Sequence, residues 1–235
     1  MNYQEIATTI RGSDFPEDEE LAGCECDFEC NSENCSCLMN GESNYSEDAK
    51  VIRNSKPLLE CHSDCSCQQN CGNRVVQKGI RKKLEIFSTN AKGFGVKTLE
   101  IIDENEFVCE YAGECINEKE VERRNEEIKY EDNYTLTIKE HFGGRIQKTF
   151  IDPRKKGNIG RFLNHSCEPN CDIVIVRIGR IIPIVGLFAR RKIEADEELT
   201  YDYGESLITD ESRKKCECQS ENCRKFLPMS ISPVE

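Results

Sequence analysis

Nine of the sixteen cysteines in this 235-residue chain fall in two blocks, Cys24-x-Cys26-x3-Cys30-x4-Cys35-x-Cys37 and Cys61-x3-Cys65-x-Cys67-x3-Cys71. Thiols at this density are either disulfides or metal ligands, and the compartment decides between them. Met1 to Gly23 has no apolar core of signal-peptide length, and no run of about 18 uncharged apolar residues occurs anywhere. The chain therefore reads as soluble and intracellular, where crowded cysteines are metal thiolates. Two separate four-thiolate zinc sites would use eight of the nine and strand one. Three zinc ions need twelve ligand positions, and nine cysteines fill them if six bind one ion and three bridge two. The segment holds few apolar residues, so the metal must supply most of its folding free energy, roughly 10 kcal/mol or more per structural zinc. Near the C-terminus Cys216-x-Cys218-x4-Cys223 offers three thiolates lacking a fourth, for which Cys167 is the natural candidate.

Cys167 lies in a second constellation, Gly157-Asn158-Ile159-Gly160-Arg161-Phe162-Leu163-Asn164-His165-Ser166-Cys167-Glu168-Pro169-Asn170. Two glycines, a Phe-Leu pair, Asn-His-Ser-Cys and a Pro-Asn turn sustain neither a strand nor a long helix. Such irregular backbone is either a polar surface turn or the seat of a site. Further on, Glu197-Glu198-Leu199-Thr200-Tyr201-Asp202-Tyr203 carries two tyrosines two apart, expected on one face of a strand. On the residues alone they read as readily as ordinary strand aromatics.

The elements that must position these groups are short strands. Leu84 to Phe87 and Phe94 to Val96 flank a glycine turn, where Gly93 and Gly95 permit close backbone approach but suit a plain hairpin equally well. Phe107 to Glu114 reads as one more strand, and Glu118 to about Glu127 as a polar helix with a solvated face. Tyr134 to Ile138, Ile146 to Ile151, Asp172 to Ile178 and Ile182 to Ala189 are β-branched or alternating runs. The expected fold class is mostly β, one large domain with smaller attachments. Met1 to Gly23 is expected as an acidic, loosely held lead-in, and Leu38 to Glu60 as an exposed loop between the cysteine blocks. With 44 acids against 32 bases, a formal charge of -12 argues against nucleic acid as the direct ligand and for a basic partner such as a cationic peptide. Solubility alone accounts for such a charge as well.

Lys92-Gly93-Phe94-Gly95, Glu110-Tyr111-Ala112-Gly113-Glu114, Arg161 to Asn170 and Glu198 to Tyr203 together resemble the SET-domain protein lysine methyltransferases. The nine-cysteine block resembles their pre-SET zinc module and the tail their post-SET zinc module. The resemblance covers Cys24 to Phe226 in family order. Within the family it is similar to the suppressor-of-variegation type of histone H3 methyltransferase and to the SET-mariner fusion type. It implies a lead-in at 1–23, a pre-SET module at 24–79, a SET catalytic domain at 80–204 and a post-SET module at 212–228. It also implies a SET fold whose knot-like core threads the Asn-His stretch beneath the loop carrying Tyr201 and Tyr203.

The same resemblance assigns roles. S-adenosylmethionine would be held by Lys92, Gly93, Phe94, Tyr134, Arg161, Asn164 and His165, with Phe226 covering the adenine or the lysine channel. Phe94 replaces the tryptophan common at its position and keeps an aromatic face, which implies weaker packing, not loss of binding. Zinc would be held by Cys24, Cys26, Cys30, Cys35, Cys37, Cys61, Cys65, Cys67 and Cys71 as three ions bridged by Cys24, Cys30 and Cys61. A fourth ion would join Cys167 to Cys216, Cys218 and Cys223. Cys171 competes with Cys167 by spacing, but the resemblance selects Cys167 and leaves Cys109, Cys115 and Cys171 as small core residues. Tyr203 would be the essential catalytic residue, with Tyr111 and Tyr201 shaping the lysine channel and His165 structural. The implied transfer is an in-line displacement on the sulfonium methyl by a neutral lysine nitrogen, driven by positioning and electrostatics.

The implied function is methyl transfer to a lysine of the histone H3 tail, lysine nine with mono- and dimethyl products favoured. Lysine thirty-six is the alternative target. A catalytically inactive chromatin-binding zinc module is the alternative of another class, against which intact Tyr203, Tyr111, Asn164 and His165 stand. The expected setting is a monomer on chromosomes in the nucleus, with the nucleosome as substrate, no direct sequence-specific DNA binding and no membrane.

Overall fold

The computed structural model describes residues 3–27, 29–38, 41–52, 57–127, 134–142, 144–204 and 214–228. Residues 1 and 2 of the expected lead-in, 39, 40 and 53–56 of the expected loop, and 212 and 213 of the expected post-SET module lie outside that set.

In chain order the elements are β1 (Gln4–Glu5), β2 (Ile10–Arg11), β3 (Leu58–Glu60), β4 (Leu84–Ser88), β5 (Phe94–Thr98), β6 (Phe107–Glu110), β7 (Glu114–Ile116), α1 (Glu118–Glu127), β8 (Leu136–Phe142), β9 (Arg145–Asp152), β10 (Lys156–Gly157), β11 (Asn164–His165), β12 (Cys171–Ile178), β13 (Ile184–Ala189) and β14 (Glu198–Tyr201). The fold is mostly β, as expected, and its longest strands are the β-branched and alternating runs read from the sequence. The single strand expected over Phe107 to Glu114 is two: β6 pairs with β13, whereas β7 pairs with β9 in a different sheet. Tyr111 to Gly113 is the link that carries the chain between the sheets.

Among the described residues one sheet follows the order β4-β5-β14-β12-β13-β6, with β11 added to β14 and β3 to β12. A second runs β2-β7-β9-β8. The main core contains fully buried Val96, Val108, Ile151, Val185, Leu187 and Leu199. Each such side chain contributes about 1.5–3 kcal/mol relative to exposure, which makes this cluster the main source of stability outside the cysteine module. Cys109, Cys115 and Cys171 pack in the same core.

Two expectations fail here for backbone reasons. The N-terminal segment is not loosely held: β1 pairs in parallel with β10 and β2 with β7. Gln4 N donates to Lys155 O at 2.8 Å and Gly12 N to Cys115 O at 2.8 Å. Two-residue strands have no periodicity to read, and an acidic composition says nothing about main-chain pairing. The segment between the cysteine blocks is likewise only partly an exposed loop. Tyr45, Val51 and Leu58 are buried with Phe107, Val176 and Phe188, and β3 lies parallel to β12. Tyr45 donates its hydroxyl to the buried Glu60 at 2.7 Å, which also accepts the Val75 and Val76 amides. No helix among the described residues is long and apolar enough to cross a membrane.

Candidate active site and metal centres

The Asn-His stretch is tied down at its start by Asn158, whose Oδ1 accepts from Gly160 N at 3.0 Å and from Ala112 N at 3.2 Å. One turn of 3-10 helix follows over Ile159–Phe162. The chain then runs as β11 parallel to β14, with Asn164 opposite Thr200 and His165 opposite Tyr201. Ser166 N donates to Tyr201 O at 3.2 Å, and Asn170 Nδ2 to Glu198 O at 2.8 Å. These bonds hold the two segments side by side and bring four rings together. The Tyr201 and Tyr203 centroids are 4.8 Å apart, Tyr111 and Tyr201 5.9 Å, and His165 and Tyr203 5.3 Å.

The two tyrosines are not equivalent strand residues. β14 ends at Tyr201, which is 4% exposed, while Tyr203 lies beyond the strand and is 37% exposed. The chain leaves the ladder because the Tyr203 amide donates to His165 Nδ1, at 3.2 Å. That bond favours the imidazole proton on Nε2, which faces Cys167 Sγ at 3.3 Å and the Arg224 guanidinium at 3.4 Å. Burial lowers the pKa of His165 below its ordinary value against the opposing pull of Asp202, so the ring is neutral near neutrality. Burial pushes the hydroxyl pKa of Tyr111 and of Tyr201 up. Both therefore stay protonated and serve as hydrogen-bonding dipoles, not as bases. Tyr111 donates to the Tyr134 carbonyl.

On the other side of Asn164, its Nδ2 donates to Phe94 O at 3.0 Å and to Glu198 Oε1 at 2.8 Å, while Lys92 Nζ meets Glu198 Oε2 at 2.6 Å. Gly93 has a φ of 74°, a left-handed conformation that favours glycine. A Cβ on Gly95 would stand 2.9 Å from Glu198 Oε1 and 3.1 Å from Asn164 Nδ2, so glycine is what lets these groups converge. Phe94 turns an aromatic ring to the outside, 46% exposed and edge-on to Phe162 at 6.4 Å. The Arg161 guanidinium lies over the Tyr134 ring at 4.8 Å, and its Nε is buried without a hydrogen-bond partner among the described residues. A partly exposed arginine, an open aromatic face and a glycine-lined approach fit a ligand that carries a flat aromatic base and a carboxylate, as S-adenosylmethionine does. Phe226 forms a backbone bridge to Lys215 in the C-terminal segment.

The cysteines converge as ligand sets. Cys24, Cys30 and Cys61 form a sulfur triangle with edges of 3.7, 4.0 and 3.6 Å. Tetrahedral zinc with Zn–S of about 2.3 Å requires sulfurs about 3.8 Å apart, so these edges have the right length for shared tetrahedra. Three overlapping quartets are poised for metal: Cys24, Cys61, Cys65 and Cys67; Cys24, Cys30, Cys35 and Cys61; and Cys30, Cys61, Cys67 and Cys71. Cys26 and Cys37 fall outside these quartets, Cys26 Sγ near Asn34 O at 3.5 Å and Cys37 Sγ 3.8 Å from Cys65 Sγ. The sulfurs accept N–H bonds as thiolate ligands do: Cys65 from His62 N at 3.1 Å, Cys61 from Asn73 Nδ2 at 3.3 Å. Cys167, Cys216, Cys218 and Cys223 make a fourth quartet. Cys171 is buried in the main core instead.

The SET domain family profile matches residues 93–204 and the Pre-SET motif profile residues 1–74. A Caenorhabditis elegans protein, probable histone-lysine N-methyltransferase set-23, is 57% identical over 244 residues spanning all of both chains. The chain belongs to the SET-domain histone-lysine N-methyltransferase family. The crystal structure of the methyltransferase domain of human SETMAR superposes on this SET-domain chain with a TM-score of 0.87 at 38% identity, covering 97% of this chain and 90% of that one. KRYPTONITE in complex with DNA, an H3(1-15) peptide and SAH gives a TM-score of 0.82 at 30% identity, over 96% of this chain and 47% of that one.

Within this SET-domain enzyme, the C-terminal thiolate site is linked to the tyrosines by Arg224. Its backbone N–H donates to Cys167 Sγ at 3.3 Å, and its guanidinium donates to Gly204 O at 3.1 Å and to Asp202. Arg224 and Glu198 escaped the sequence reading. Each had a signal: Glu198 stands in the same motif as Tyr201, and Arg224 directly follows the last cysteine.

Proposed function

We propose that the chain methylates a lysine of the histone H3 tail with S-adenosylmethionine as donor, that lysine nine is the preferred target, and that mono- and dimethyl-lysine are its products. The observation that carries this reading is the parallel pairing of β11 with β14, which sets Asn164 and His165 against the strand that delivers Tyr201 and Tyr203. The acidic chain suits a cationic tail, and the KRYPTONITE complex contains an H3 peptide and SAH. Nuclear, chromosome-bound action follows from that substrate.

Bound S-adenosylmethionine supplies an electrophilic methyl group. Lys92, Gly93, Phe94, Tyr134, Arg161, Asn164 and His165 hold and orient it. Tyr111, Tyr201 and Tyr203 wall the lysine channel and exclude water. The Tyr203 hydroxyl hydrogen is committed to Leu163 O, so its oxygen presents lone pairs to the incoming amine. Protonated Tyr111 and Tyr201 contribute fixed dipoles, and the rate gain comes from positioning and preorganised electrostatics. Zinc would be held in the N-terminal module by its nine cysteines, as three ions sharing Cys24, Cys30 and Cys61, and would stabilise that module; one more would be held by Cys167, Cys216, Cys218 and Cys223.

The deciding experiment is transfer of labelled methyl to mixed core histones, with modified residues located by mass spectrometry. Label on H3 at lysine nine is the expected result. Label at lysine thirty-six would move the target. No transfer by zinc-filled, cofactor-bound protein would make the chain a binding module instead.

A further inference from the structure

The N-terminal segment is held to the catalytic body by more than its two short strands. Ile6 N donates to Gly157 O at 2.9 Å, Ile10 N to Gly113 O at 3.0 Å, and Thr9 N to the buried carboxylate of Glu110 at 2.7 Å. Little apolar surface is covered by β1 and β2, whose residues are mostly exposed. What the segment delivers is the ring of Tyr3.

That ring lies 4.5 Å from the Arg161 guanidinium carbon, and its centroid is 5.9 Å from Phe162 in an edge-on contact. Tyr134 holds the same guanidinium at 4.8 Å. Arg161 is thus gripped by two tyrosines from distant segments, with Phe162 at 5.2 Å beside it. Among the described residues no carboxylate forms an ion pair with it, and its Nε is buried without an acceptor. Arg161 is only partly buried, so the aromatic faces stabilise and orient its guanidinium while the rest of the side chain stays open to a ligand. Tyr134 also connects this grip to the tyrosine cluster, since its carbonyl accepts the Tyr111 hydroxyl.

We propose that Tyr3 is a positioning residue for the cofactor site: its ring fixes the Arg161 guanidinium, and the N-terminal segment thereby sets the affinity for S-adenosylmethionine. This rests on the cofactor reading of the site given above. Tyr3 acts through Arg161, so its removal weakens cofactor binding without touching the tyrosine cluster.

The test uses the full chain, with zinc content verified, and S-adenosylhomocysteine as the probe in calorimetric titrations. Tyr3→Ala should bind the probe about 2- to 30-fold more weakly, the range that cation-π contacts span. Tyr3→Leu, which keeps apolar bulk without a π face, should lose affinity too, and Tyr3→Phe should stay within about twofold. In steady state the Michaelis constant for S-adenosylmethionine should rise in Tyr3→Ala while kcat at saturation changes little. In an Arg161→Ala background, Tyr3→Ala should cost no further affinity, because the two act as one unit. Native-like affinity in both Tyr3→Ala and Tyr3→Leu, or an equal loss with and without Arg161, would overturn the proposal while leaving the cofactor site intact. A lowered melting temperature with unchanged affinity would likewise reduce Tyr3 to a structural role. Failure of the unaltered chain to bind the probe would instead sink the cofactor reading and this inference with it.

Discussion

Tyr203 donates its hydroxyl to the carbonyl of Leu163, 40 residues earlier in the chain, at 2.8 Å. The bond fixes the phenol of a partly exposed side chain against the Asn-His stretch and turns the oxygen lone pairs outward. Tyr203→Phe keeps the ring and removes both the anchor and the acceptor. It should lower kcat by about 100-fold or more, the scale seen when one preorganised polar group is lost from a reacting centre. Folding and zinc content should be unchanged, because the ring contacts with His165 and Tyr201 remain. A Tyr203→Phe enzyme with near-native turnover on an H3 peptide would remove this residue from the catalytic list.

Metal analysis should find about four zinc ions per chain, three in the N-terminal cluster and one at the C-terminal quartet. Two or fewer in active protein would contradict shared thiolates. The two sites should separate by mutation. Cys218→Ser should lose one ion and most activity while the N-terminal module stays folded, because Arg224 ties Cys167 to Asp202 and Gly204 on either side of Tyr203. Chelation of all four should unfold the N-terminal module, whose buried cluster consists almost wholly of cysteine.

Legibility in the sequence followed the length scale of each feature. β9, β12, β13 and α1 were readable because their runs of β-branched, alternating or polar residues are six or more long, and β8 only in part, since it runs on to Phe142 beyond the expected Ile138; the clustering of the cysteines was readable because their chemistry admits few alternatives. β1 and β2 were invisible, since two residues carry no period and their pairing is purely main-chain. Tyr203 was expected on the same strand face as Tyr201; what displaces it is one bond from its amide to His165, a long-range contact no local pattern encodes. Tyr3, Glu198 and Arg224 were missed for a related reason. Each acts on a group far away in sequence: the motif around Glu198 and the cysteine before Arg224 mark the neighbourhood as functional, but not the partner.

Acid should weaken the fold through Asp152. Burial alone would raise its pKa, but hydrogen bonds from Arg154 and Arg124 outweigh burial and hold it below the ordinary aspartate value. A carboxylate depressed in the folded state stabilises above its unfolded pKa of about 3.9, and this contribution is lost as pH falls through the folded value. Arg124 contacts Asp152 at 2.8 Å, Glu114 at 3.0 Å and Glu120 at 2.7 Å, while Arg154, Lys156 and Arg123 each hold one of the same carboxylates, so Arg124→Met weakens the buried cluster without stranding it. It should cost about 1.5–3 kcal/mol at neutral pH. The gap to the native chain in urea midpoint should narrow as pH is taken from 7 towards about 3, when the carboxylates of the cluster protonate. A constant gap across that range would mean that the cluster does not carry the acid sensitivity. Using the difference between the two chains also removes the separate effect of acid on zinc thiolates.

The number of methyl groups added should turn on Tyr201. Its buried ring meets Tyr111 edge-on at 5.9 Å and Tyr203 at 4.8 Å, and the neighbouring Tyr111 hydroxyl is bonded to the Tyr134 carbonyl. A hydroxyl in this cluster can keep a water or the lysine nitrogen in place for about 0.5–1.5 kcal/mol net. Each added methyl must rotate away before the nitrogen lone pair can face the donor again, and a crowded, hydrogen-bonded amine turns less readily. The unaltered enzyme should therefore stop at mono- and dimethyl-lysine. Tyr201→Phe preserves ring shape and the edge-on contact with Tyr111 while removing the hydroxyl, and should shift the product towards trimethyl-lysine without abolishing activity. A time course on an H3 tail peptide, read by mass, distinguishes the outcomes. Abundant trimethyl product from the unaltered enzyme at early times, or an unchanged product mixture from Tyr201→Phe, would show that the channel is not gated by this hydroxyl.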